Sequence, residues 1–254
     1  MLIKWNTRAD TFQFGQWLKG RVYERRSDVS PDGELLIYFA ANQKPPLGSW
    51  TAISKPPYFT ALALWPKGDC WNGGGWFVEK RKIRLNHGPV ETELQPGFRL
   101  GPVKIAGYAE WRGEDDTVWD VTRKRDGWSK STEGKEKSRG ATKGWDFEPP
   151  EEWRKQHPKK GELSLTMSIV GIGVDEAPWY LVKYRVSTSA GDMLDLGTID
   201  WADWDRNGDL VFAKKGCLFR QKFHQTVPGE PKQIADFNAL KFSGVPAPAK
   251  AQRW

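Results

Sequence analysis

Two stretches far apart in this chain carry the same turn. Asp28-Val29-Ser30-Pro31-Asp32-Gly33-Glu34-Leu35-Leu36-Ile37 can be laid on Asp203-Trp204-Asp205-Arg206-Asn207-Gly208-Asp209-Leu210-Val211-Phe212. The shared pattern is Asp, a bulky residue, three turn formers, Gly, an acid and then an apolar run. Asp-Gly and Asn-Gly are strong hairpin signals because Gly takes a positive φ without steric cost. A weaker copy, Leu64-Trp65-Pro66-Lys67-Gly68-Asp69, is followed by Trp71 and by Trp76-Phe77-Val78. A fourth falls near residues 108–116.

Alternation of apolar and polar residues adds further strands. Leu163-Ser164-Leu165-Thr166-Met167-Ser168-Ile169 and Tyr180-Leu181-Val182-Lys183-Tyr184-Arg185-Val186 both alternate. Residues 193–196, 199–204 and 217–219 give shorter runs, with Lys214-Lys215-Gly216 as a turn. The stretch 163–219 leaves no room for a helix. Pro-Glu-Glu at 150–152 predicts one short helix over residues 150–156.

The turns Ser30-Pro31-Asp32-Gly33 and Trp204-Asp205-Arg206-Asn207-Gly208 resemble those that join the middle strands of Tol-type and WD-like β-propeller blades. The resemblance covers two short stretches. It implies one all-β domain over residues 1–254, β-propeller-like, made of short antiparallel strands. A blade takes roughly 40–50 residues, which allows about five blades with room for a sixth. A β-barrel or a sandwich is the alternative fold.

Residues 112–160 read as a polar insertion. Between 121 and 160 there are 12 Lys and Arg against 7 Asp and Glu, so much of the net charge of +7 lies here. Residues 123–143 are almost free of aliphatic side chains, which predicts a partly flexible basic loop. The Pro- and Ala-rich tail, 246–254, reads as loose.

No apolar run reaches the roughly 18 residues needed to span a bilayer as a helix. Only Cys70 and Cys217 are present, with no C-x-x-C and no disulfide framework. The first ten residues lack a charged-then-apolar pattern, so a cytoplasmic protein is expected.

Several residues invite chemistry. Asp203-x-Asp205-x-Asn207-Gly208 matches the first half of a calcium loop, but its twelfth position is Lys214 where a Glu is needed. Asp28 and Asp32 recur because the turn recurs. His87, His157 and His224 have no metal-ligand spacing. Cys70 reads as a small buried side chain rather than a nucleophile paired with His87. Trp71-Asn72-Gly73-Gly74-Gly75-Trp76 lacks the Lys-Ser/Thr ending of a phosphate loop. It reads as a flexible hairpin tip or as a loop offering exposed Trp. No catalytic residue, metal site or cofactor is assigned.

The unusual count of 15 Trp, beside 12 Phe and 6 Tyr, favours binding surfaces as well as cores. The sequence therefore points first to a non-enzymatic scaffold that binds another macromolecule, most readily a protein. The contacts would be Trp71, Trp76, Arg123, Lys124, Arg125, Trp128, Lys130 and Trp145, since Trp and Arg concentrate interface energy. One alternative is a nucleic-acid-associated protein using the basic 123–143 loop. Another is a hydrolase or lyase with its site at the propeller mouth. No membrane partner is expected.

Overall fold

The computed structural model describes residues 1–88, 90–109, 115–138, 144–173 and 178–254. The chain falls into two compact units, Met1–Thr122 with Lys241–Trp254, and Arg123–Leu240. In the first, a hairpin of β1 (Ile3–Asn6) and β2 (Thr11–Phe14) precedes a four-stranded antiparallel meander. Its strands are β3 (Arg21–Val29), β4 (Leu36–Ala41), β5 (Ser49–Ser54) and β6 (Ala63–Pro66). A three-stranded sheet follows, of β7 (Gly75–Glu79), β8 (Lys82–Leu85) and β9 (Lys104–Tyr108), in which β8 and β9 pair in parallel.

The run Leu35-Leu36-Ile37-Tyr38-Phe39-Ala40 explains this arrangement. A strand apolar at every position must be covered on both faces. Leu35 and Ile37 pack with Ile53, Trp65, Phe77, Ile83, Leu85 and Val103. Leu36, Tyr38 and Ala40 pack on the other side with Ala52 and Leu64. Each fully buried side chain of this kind contributes about 1.5–3 kcal/mol.

A helix, α1 (Asp116–Arg125), begins with an acid and ends with Arg123, Lys124 and Arg125, which complements its dipole. In the second unit, β10 (Trp128–Thr132), β11 (Glu136–Ser138), β12 (Trp145–Gln156), β13 (Ser164–Ile172), β14 (Tyr180–Thr188) and β15 (Gly191–Thr198) form one sheet. A second sheet joins β16 (Trp201–Trp204), β17 (Leu210–Lys214) and β18 (Cys217–Gln221), and beyond them the last strand. A two-residue pair, β19 (Phe223–His224) with β20 (Val227–Pro228), separates β18 from that strand, β21 (Lys232–Asp236).

Among the described residues the fold is all-β apart from α1 and one 3-10 turn near the C-terminus, with open sheets. Residues 28–37 and 203–212 form antiparallel hairpins in separate sheets, as their shared turn predicts. Asp28 lies opposite Ile37, and Asp203 opposite Val211. The turns also share their bonding. The Asp28 and Asp203 carboxylates each accept the next residue's amide, and Gly33 and Gly208 donate to Ser30 and Asp205 carbonyls. The structure adds a repeat that the sequence reading does not contain. The meander β12–β15 has the strand order of β3–β6, and the His157 amide bonds to Leu163 O as the Ser30 amide bonds to Leu35 O, both at 2.8 Å.

One expectation, the short helix, is corrected, and the 123–143 stretch and the tail take defined places. Residues 150–156 are strand, because Trp153 pairs across the sheet with Met167 and Lys130, and this burial outweighs a local helix start. The 123–143 stretch closes α1 and then supplies β10 and β11, whose backbone bonds are made by β12; residues 139–143 lie outside the described residues. The tail is seated on the first unit. Ala247 and Ala251 are buried, Trp254 packs against the Trp65 cluster, and its indole N–H donates to Arg99 O at 2.9 Å.

Candidate anion-binding pocket

The Gly-rich loop is packed into the first unit, with Trp71 exposed at its start. Residues 72–77 are all buried, and Asn72, Gly73 and Gly74 have φ of 55°, 88° and 81°. They thread beneath an irregular stretch of β3 between Tyr23 and Asp28. The Arg26 side chain is buried there, stacked on Tyr23 and Phe39. Its guanidinium donates to Cys70 O, to Asn72 O and to the Asp115 carboxylate. Cys70 is half-buried, and its sulfur takes contacts from Tyr23 Oη and Gln43 Nε2.

Of the eight residues named as contacts, Trp71 and Trp76 lie in the first unit and the rest in the second. Trp71 and Trp145 are exposed, whereas Trp76 and Trp128 are buried and offer no face to a partner. Arg123 lies over the Trp128 ring at 5.5 Å. Lys124 and Arg125 are exposed, with Arg125 paired to Asp126. Lys130 is held by Glu133 and Glu151, and Lys137 by Glu148. Carboxylates thus pair with three cations of the basic stretch that the sequence marks out.

The calcium-like turn is also closed by charge. Asp203 pairs with Lys155 at 2.7 Å, and Asp205 and Asp209 both hold Arg220. Among the described residues there is no group of three side chains suited to a metal. His157 accepts the Lys159 and Lys160 amides at Nδ1 and donates from Nε2 to Gly208 O.

His87 is buried in a comparable network. Its Nδ1–H donates to Glu91 O at 2.6 Å, and Nε2 accepts the Thr51 hydroxyl at 2.8 Å. Thr51 Oγ1 in turn accepts the Gly74 amide at 2.7 Å. Burial pushes the His87 pKa down to about 4. A folded value below the unfolded one means that the unfolded chain binds the extra proton first. Stability is therefore full above about pH 6.5 and falls as pH drops toward 4. The loss should reach about 2 kcal/mol by pH 5. Urea midpoints at pH 7 and pH 5 check this: the fall should shrink by that amount in His87→Gln. An unchanged fall would show that His87 titrates normally.

The structure instead gathers positive charge where no local pattern announces it. A cavity of about 370 Å³ in the first unit is lined by Lys4, Lys55, Arg81 and Lys250, with Gln13, Glu34, Tyr58 and the Pro56-Pro57 pair. Strand alternation puts Lys4 and its cross-strand partner Gln13 on one face of the β1–β2 hairpin. Trp5 and Phe12 stack as the next pair, at 6.0 Å. The hairpin is pinned where Gln16 N donates to Pro57 O at 3.0 Å. Gly15 permits this approach, since a Cβ there would stand 1.8 Å from Pro57 O.

The four cations differ in what they have left to offer. Arg81 is held by Asp32 and Glu34 at 3.2 and 2.8 Å. Lys55 Nζ donates to Lys250 O and Arg253 O at 3.0 and 2.7 Å, which fixes it in place and leaves one N–H. Lys4, Lys55 and Lys250 have no carboxylate partner among the described residues. Cations of one sign around a concave wall focus the field on an incoming anion. The second unit shows a different balance in a smaller cavity of about 290 Å³, where Arg185 holds Glu152 through both carboxylate oxygens beside Ser168. Compared with known proteins, the chain matches no protein-family model, no curated protein and no solved structure.

Proposed function

We propose that this protein is a binding module for an anionic partner, taken in the first unit by Lys4, Lys55 and Lys250. The observation that carries this reading is that three lysines with no carboxylate partner among the described residues line one cavity of about 370 Å³. Binding rather than catalysis is favoured because His87 and His157 are committed to internal networks. This narrows the expectation of a macromolecule-binding scaffold to partners carrying negative charge, and it moves the contact surface away from residues 123–143. The four-stranded meanders β3–β6 and β12–β15 are the blade-like part of the propeller reading.

A thermal-shift panel of phosphate, sulfate, citrate and a single-stranded oligonucleotide tests the proposal. At least one anion should raise Tm to a plateau, by an amount equivalent to about 2.7 kcal/mol at 100 times its Kd. The rise should vanish in a Lys4→Glu/Lys250→Glu variant, whose changes fall on exposed side chains. A flat panel, or an equal rise in the variant, counts against it.

A further inference from the structure

We infer that the group seated between these lysines is the terminal phosphate of a monoester, with its organic part against Tyr58. This rests on the anion reading above and names its ligand class.

The donors set the chemistry. Arg81, the one fork-shaped donor in the pocket, is already occupied by Asp32 and Glu34. What remains is three ammonium groups, which act as point charges and have no planar preference. A phosphomonoester presents three terminal oxygens and close to two negative charges at neutral pH. It can give one oxygen to each of Lys4, Lys55 and Lys250. A carboxylate has two oxygens and one charge. A phosphodiester also has two free oxygens and one charge, and it must leave the pocket in two directions.

The pocket is built before the anion arrives. Lys55 is oriented by two carbonyls of the C-terminal segment, and the same segment carries Lys250. Gln16 locks the neighbouring loop, its side-chain oxygen accepting the amides of Phe59 and Thr60 at 2.7 and 3.0 Å. Lys55 is thus a donor already in place, which lowers the cost of ordering it on binding. Tyr58, half-buried beside Pro56 and Pro57, supplies an apolar wall, and Gln13 an amide for a hydroxyl or carbonyl. The volume suits a small organic phosphate, since ligand cavities run from about 300 to 1,000 Å³.

Calorimetric titration of the full chain with phenyl phosphate, diphenyl phosphate, benzoate, inorganic phosphate and an oligonucleotide decides it. Phenyl phosphate should bind one per chain, at least tenfold more tightly than diphenyl phosphate or benzoate. Lys4→Met/Lys250→Met should weaken it tenfold or more. Tyr58→Ala should weaken phenyl phosphate several-fold and leave inorganic phosphate unchanged. Affinity should fall from pH 7.5 to 5.5, as the phosphate gains a proton. Equal binding of the diester or of benzoate would overturn the monoester assignment, and equal effects of Tyr58→Ala on both phosphates would overturn the ring contact. Oligonucleotide binding that needs Lys4 and Lys250, with no phenyl phosphate binding, would overturn this inference and leave the anion reading standing. No binding by any anion would remove both.

Discussion

Gly74→Ala should destabilise the first unit by about 3–5 kcal/mol, among the largest effects of any single methyl in this chain. Two independent terms add. Gly74 has φ of 81°, where an L side chain is strained. The new Cβ would also stand 1.9 Å from Arg26 O, a backbone atom that cannot swing aside. Relief requires moving β3 away from the loop. That would separate the Arg26 guanidinium from Cys70 O and Asn72 O. Gly33→Ala is the matched control. Its φ is 70°, but nothing lies within 4 Å of the added Cβ, so only the conformational cost of about 1 kcal/mol applies. Urea unfolding of both variants measures the difference. Equal losses would mean that the close approach of the loop to β3 is wrong.

Trp153→Ala should cost the second unit about 3–5 kcal/mol through the cavity left behind. The side chain is fully buried, its indole N–H donates to Glu151 at 2.8 Å, and Lys130 lies over its ring at 5.1 Å. It sits opposite Met167 on one side and Lys130 on the other, so its loss loosens three strands together. Trp71→Ala, at a side chain 65% exposed, should stay within about 0.5 kcal/mol. A loss at Trp153 below about 1 kcal/mol would contradict the packing of β12 between β10 and β13.

These residues show what the chain's local chemistry encodes and what it does not. The turns at 30–35 and 205–209 were legible because their bonding is internal. Ser30 Oγ accepts the Leu35 amide and Asp205 Oδ1 accepts those of Asn207 and Asp209, all within five residues. The strands after them were legible because Leu, Ile, Phe and Val pack on a pleated surface whichever sheet receives them. The nature of β12 was not legible, since Pro149, Pro150, Glu151 and Glu152 mimic a helix start and only the partners Met167 and Lys130 reveal a strand. The Gly run misled for a related reason. Three glycines suit a loose tip equally well, and the Arg26 backbone beneath them is about 48 residues away in sequence.

The candidate site was invisible for the same physical reason. Charge density along the sequence points to 123–143, but there three cations have carboxylates within reach: Arg125 with Asp126, Lys130 with Glu133 and Glu151, Lys137 with Glu148. The three pocket lysines come from residues 4, 55 and 250, far apart in the chain. Only the β1–β2 hairpin, the end of β5 and the returning C-terminal segment bring them together.

The most direct test of the central claim is a titration of 15N-labelled protein with inorganic phosphate, followed by amide chemical shifts. Saturating shifts should appear at Lys4, Gln13, Lys55, Tyr58, Arg81 and Lys250, with α1, β10 and β12 unmoved. Shifts centred on Arg123–Leu240, or none at phosphate concentrations that saturate ordinary weak sites, would contradict it.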